Sequence, residues 1–171
     1  MSPTGRLADA SPPAPDAMSS AATGGPTAMT DRDPLLARFE PLIGTWSTEA
    51  KHRLVDEVVH GSSTFEWVEG GHFVVLRSHN DHELFPDAIA LIGRPEPGEG
   101  LVLEYFDSRG VRRTYGVSLE DGVMRWWRND PGFDQRSYAK LGPEGFEMVH
   151  ELAETPGEWQ DDLRATYRRR A

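Results

Sequence analysis

The chain has 171 residues, 37% hydrophobic and 27% charged, which is one domain's worth of sequence able to bury a core. It has no cysteine, so disulfides, thiolate metal sites and thiol catalysis are all excluded, in keeping with the reducing cytoplasmic location expected for it. A formal charge of -10 opposes binding to a phosphate backbone, and no run approaches the ~20 apolar residues a membrane span needs.

Residues 1 to about 33 hold Pro3, Pro12, Pro13, Pro15 and Pro26 among Ala, Ser, Thr and Gly, with no aromatic residue. Such a segment cannot bury enough apolar surface to offset its ordering entropy, and a disordered leader over 1–33 is predicted. It lacks the basic start and continuous apolar stretch of a secretory signal. The folded domain is expected over 34–171. Asp33-Pro34-Leu35-Leu36 puts an N-cap and a first-turn proline ahead of Leu35, Leu36, Phe39, Leu42 and Ile43, the signature of one short helical turn, which Gly44 ends.

Strands follow. Residues 45–50 alternate, and 62–68 alternate again with Phe65 and Trp67 on one face and Thr64 and Glu66 on the other. Glu69-Gly70-Gly71 reads as a hairpin turn, since two glycines supply the positive φ such turns require. Further strands are predicted at 72–80, 88–93, 101–107, 111–119, 123–129, 135–141, 146–154 and 159–168, separated by turns rich in Gly and Pro. Ten strands joined by short turns, with no helix between them, predict an all-β fold: an antiparallel up-and-down β-barrel with a short N-terminal helical turn. Closure would remove the exposed edges of so long a meander, whereas a sandwich would need longer crossovers.

Two groups of residues could carry chemistry. His79-Asn80-Asp81-His82 offers two imidazoles and a carboxylate, suited to zinc or iron binding or to proton transfer, but the third and fourth ligands of a metal site would have to come from elsewhere, with Asp87, Asp107 and His150 as candidates that no spacing supports, so no metal and no cofactor is assigned. The plainer reading is a polar loop at a strand end. Polar residues within strands form the second group. Strand 72–80 alternates Phe73, Val75, Arg77 and His79 against His72, Val74, Leu76 and Ser78, and strand 123–129 sets Val123, Arg125 and Trp127 against Met124, Trp126 and Arg128. Mixed faces suit a barrel with a wet cavity; they also suit arginine stems covering the outside, and without the register parity leaves both open.

On the cavity reading the lining is Trp46, Trp67, Arg77, His79, Tyr105, Arg113, Arg125 and Trp127, with His82 at the mouth. Aromatic walls would bury an organic ligand while Arg or His fixes an acidic or carbonyl group. The expected function is binding of a small, largely apolar or aromatic molecule. The alternative is a barrel enzyme for proton transfer, isomerisation or cyclisation, with His79 or His82 as general base and Arg77 or Arg125 stabilising negative charge. No Gly-x-Ser-x-Gly elbow, phosphate-binding loop or dinucleotide fingerprint is present. The expected partner is the small-molecule ligand, not nucleic acid or a membrane, and a homodimer is left open.

The start Leu42-Ile43-Gly44-Thr45-Trp46 after a helical turn, the meander, and the closing Asp162-Leu163-Arg164-Ala165-Thr166-Tyr167-Arg168-Arg169 resemble the nitrobindin and fatty-acid-binding-protein-like branch of the calycins. The chain looks closer still to a group of bacterial lipocalin-like proteins sharing segments such as Arg77-Ser78-His79-Asn80-Asp81-His82 and Tyr105-Phe106-Asp107-Ser108-Arg109-Gly110-Val111. The resemblance covers about residues 35–169 and implies a cavity-bearing barrel. Nitrobindins hold haem through a histidine in a His-Leu-x-Ala pattern on the last strand. Here Asp162 occupies that position, a hard oxygen donor poorly suited to haem iron, and only His150 on the preceding strand could replace it. Haem binding is therefore the third-ranked reading.

Overall fold

A computed structural model describes residues 32–171, so the leader expected over 1–33 lies, apart from its last two residues, outside the described residues. The first ordered element forms as its capping residues dictate. Asp33 Oδ1 accepts from the backbone N–H of Leu35 at 2.8 Å and of Leu36 at 3.4 Å, satisfying donors that a helix start leaves orphaned. Its second oxygen receives Arg94 Nε at 2.6 Å, which anchors the cap from outside the helix. The helix α1, Pro34–Ala37, is four residues long and leads into a 3-10 turn, Glu40–Leu42.

Ten strands follow: β1 Gly44–His52, β2 Val59–Val68, β3 Phe73–Asn80, β4 Ala88–Gly93, β5 Leu101–Asp107, β6 Arg112–Glu120, β7 Val123–Arg128, β8 Asp134–Lys140, β9 Gly145–Ala153 and β10 Gln160–Arg169. Each pairs antiparallel with the next, and β10 pairs with β1 from Trp46↔Arg169 to His52↔Leu163, closing the barrel. The fold is the antiparallel up-and-down barrel that the turn spacing predicts. Between β2 and β3, Gly70 and Gly71 take φ of 67° and 92°, as the tight return requires.

β1 and β2 are longer than the sequence suggests. The ladder continues to Ala50↔Val59 and includes Thr48↔Gly61, so Val59-His60-Gly61, which reads as connection, is strand. Gly61 is what the ladder needs there: a Cβ would sit 2.2 Å from the carbonyl oxygen of His79 on β3. On β10 the register shifts between Asp161 and Leu163, and this bulge re-aims Asp162.

The packed core lies at one end. Leu36, Phe39, Leu42 and Trp46 are each no more than 1% exposed, and Trp46 Nε1 donates to the Leu42 carbonyl at 2.8 Å. Phe146 meets Trp46 edge-on at 5.1 Å, and the Arg169 guanidinium lies 4.2 Å over the indole while donating to the carbonyls of Ile43, at 2.9 Å, and Pro41. Burying side chains of this size stabilises by about 1.5–3 kcal/mol each, so the helical turn serves as a plug that the barrel holds by its apolar face. The filled floor leaves the other end of the barrel for a chamber.

Candidate ligand-binding site

Above the floor the barrel encloses a cavity of about 480 Å³, with Arg53, Leu54, Leu84, Phe85 and Phe133 from the loops at its rim. The volume is that of an ordinary small-molecule pocket. Phe85 is held by two imidazoles, His52 and His82, whose rings stand edge-on to it at 5.1 and 5.2 Å. His82 Nε2 lies 3.0 Å from Glu57, which ties the β3–β4 loop to the β1–β2 loop.

The register assigns every candidate to a face. Tyr105 and Arg113, directly paired across β5 and β6, both line the cavity. Trp46 and Trp67 face inward but belong to the floor, where Trp67 Nε1 donates to Glu40 at 3.0 Å. Arg77, His79, Arg125 and Trp127 occupy the outer pleat, because Leu76, Ser78 and Trp126 line the cavity and alternate with them. Arg77 stands 3.8 Å from Glu66, and Trp127 is 43% exposed, its ring lying where a Cβ on Gly116 would be. His79 bridges Asp87, 2.9 Å from Nδ1, and Asp81, 3.1 Å from Nε2; the Asp87 bond is the main cause of its raised pKa. Among the described residues no three His, Cys, Asp or Glu side chains converge as a metal site, and no described helix is long and apolar enough to cross a membrane.

The cavity wall also contains residues that sequence reasoning did not place there: His52, Asp162, Ser137 and Trp126, with His150 raised only as a candidate metal ligand and an alternative haem ligand. One signal was available. Phe146, Met148 and Leu152 share a pleat face with His150, so an imidazole there had to be either buried or turned to a cavity.

The wall's charges are nearly all paired. Asp107, with a fully enclosed side chain, accepts from Arg109 Nη2 at 2.6 Å, from the Arg109 and Val111 backbone N–H groups at 3.0 and 3.3 Å, and from the Tyr105 hydroxyl at 3.2 Å. The Arg109 bond holds its pKa down to about 2. Burial, reinforced by the Asp107 charge, pushes the Tyr105 phenol well above its ordinary value, so it stays a donor. Asp162, turned inward by the bulge, meets Arg53 Nε at 3.0 Å and His52 Nε2 at 3.3 Å. Glu151 takes Arg136 Nε at 2.6 Å. Arg113 differs: among the described residues no carboxylate pairs with it, and its guanidinium lies 5.4 Å over the Phe133 ring. A lone guanidinium on an aromatic-lined wall is a receptor for an anionic or carbonyl oxygen.

No family model matches the chain, and no curated protein matches it by sequence. Its closed ten-stranded barrel with a helical element at the floor has the calycin fold of fatty-acid-binding proteins. Two of the solved structures that share it superpose over most of both chains. The crystal structure of Rv2717c from M. tuberculosis superposes with a TM-score of 0.60 at 15% identity, over 82% of this chain and 100% of that one. Fatty-acid-binding protein 1 of Echinococcus granulosus gives 0.56 at 15% identity, over 77% and 99% respectively. At such identity the likeness is one of fold.

Proposed function

We propose that this barrel binds a small organic acid, with its apolar or aromatic body in the chamber and its acidic group on Arg113. The observation that carries the reading is Arg113 itself, a cation without a carboxylate partner among the described residues, set in a wall whose carboxylates are each engaged by their own cation. Tyr105, Tyr115 and Trp126 supply the apolar surface. The fatty-acid-binding fold supports the reading by architecture, and the lack of cysteine accords with a cytoplasmic setting.

A nitrobindin-like haem site fits poorly. Asp162, at the position of the axial ligand, is already committed to Arg53 and His52, and a carboxylate so neutralised is a weak donor to iron. The enzyme reading with His79 as base places that imidazole outside the chamber, and His82 is turned to Glu57 at the rim.

The test is a binding screen of fatty and aromatic acids by native mass spectrometry, followed by calorimetry on hits and on the matching alcohols. A charge-assisted hydrogen bond contributes about 1.5–3 kcal/mol, so Arg113→Met is expected to weaken acids by roughly tenfold or more and leave alcohols nearly unchanged. Equal affinities in wild type and variant would overturn the assignment. Recovery of the ligands unchanged separates a binder from an enzyme.

A further inference from the structure

The wall that holds Arg113 continues as a row of rings. Tyr105 and Tyr115 stand edge-on with centroids 6.4 Å apart, Tyr115 and Trp126 are 6.3 Å apart, and Trp126 and His150 are 5.7 Å apart at a 37° tilt. The row thus leads from the strand pair holding Arg113 to an imidazole on β9, three strands away.

The hydrogen bonding of that imidazole is one-sided. Its Nδ1 lies 2.8 Å from Ser137 Oγ on β8, and Ser137, 6% exposed, has no other partner among the described residues. Donation from Oγ–H to Nδ1 satisfies the buried serine proton, which would cost about 1–3 kcal/mol if left undonated, and on that assignment the ring's own proton resides on Nε2. This Nε2–H has no protein partner among the described residues, yet it is not sealed into the packed wall, so it opens onto the cavity. Burial, opposed in part by the charge of Asp162, holds the ring neutral, with its pKa pushed down to about 4. Trp126 adds an indole N–H of the same kind, a group that can only donate, and it too is unpartnered among the described residues.

We infer that His150, with Trp126 beside it, forms a neutral donor subsite for a carbonyl, ether or hydroxyl oxygen on the body of the ligand. The inference rests on the acid-binding reading: Arg113 takes the acid, the aromatic row covers the chain, and His150 reads a second oxygen along it. The ligand class is then an oxygenated organic acid, such as an oxo- or hydroxy-acid, and not a plain hydrocarbon-chain acid. A second carboxylate is disfavoured at this pole, since the ring carries no charge and Asp162 is nearby.

Calorimetry with dodecanoate and with oxo- and hydroxy-dodecanoates, the oxygen moved stepwise along the chain, tests this directly. One or more positions is expected to bind about tenfold tighter than dodecanoate, the value of one net hydrogen bond in a buried site. In His150→Leu that preference should vanish, and in His150→Gln, which restores an N–H, part of it should return. Long-range proton–nitrogen spectra of the unsubstituted protein should show the His150 proton on Nε2. A flat response along the oxygen series, a preference that survives His150→Leu, or a proton on Nδ1 overturns the subsite while acid binding stands. Failure of wild type to bind dodecanoate and every oxygenated analogue overturns the acid-binding reading and this one with it.

Discussion

Substituting Asp107 by asparagine tests whether the rim of the chamber is held by a buried charge. Asn keeps the shape and one acceptor oxygen, which can go on receiving the Arg109 and Val111 backbone N–H groups. It replaces the oxygen facing Arg109 Nη2 and the Tyr105 hydroxyl with an N–H₂, a donor set against donors. The carboxyl's fall from 3.8 to about 2 corresponds to about 2.4 kcal/mol of native-state preference for the charged form before screening. Arg109 is 54% exposed, so water competes for it and about 1–2 kcal/mol remains. Losing the charge-assisted bond gives a similar figure. The variant should therefore unfold about 5 °C below wild type at pH 7. Because the folded pKa is depressed, the stabilisation is complete above the unfolded value near 3.8 and disappears as pH falls toward 2. Urea unfolding of both proteins from pH 7 to pH 3 should show their curves converging below about pH 4. A gap that is absent at pH 7, or that persists unchanged to pH 3, would refute the reasoning.

Phe39→Ala should cost about 3–5 kcal/mol in urea unfolding, because a fully enclosed ring leaves a void in the floor, yet change acid affinity by less than about twofold, since Phe39 does not itself line the chamber. Adding hemin should give no Soret band of a histidine-ligated species; a band that appears in wild type and is lost in His150→Ala would show that His150 had taken the role Asp162 cannot fill.

The barrel was legible because its determinants are local. Gly-Pro and Asp-Gly turn chemistry marks the strand ends, and the alternation at Phe65 and Trp67 marks the faces, so each strand announces itself without knowledge of its neighbours. The chamber was less legible, because it depends on which of two parities faces in, and that is settled by pairing across the sheet. Strand β7 shows the difficulty: Arg125 and Trp127 on one face and Trp126 and Arg128 on the other are chemically almost equivalent, and only the ladder to β6 and β8 turns Trp126 inward. Tyr105 and Arg113 were two among eight expected lining residues, and it is the ladder between β5 and β6 that shows them to be direct partners facing the chamber. Asp162 needed the bulge on β10, a one-residue irregularity without a sequence mark such as glycine, and so its engagement with His52 and Arg53 came only with the structure.

The seam between β1 and β10, with Arg169 reaching back to Pro41 and Ile43, joins segments separated by nearly the whole described chain. Every other pair in the barrel can form as its hairpin is made, but this one waits until β10 has been synthesised. Until then the growing chain presents β1 and its latest strand as two open edges, each able to recruit another chain. The same wait leaves the plug without the arginine that clamps it. Completion of the last strand is thus the step at which a sticky open sheet becomes a protected container, and the interval before it is when the chain is most exposed to aggregation.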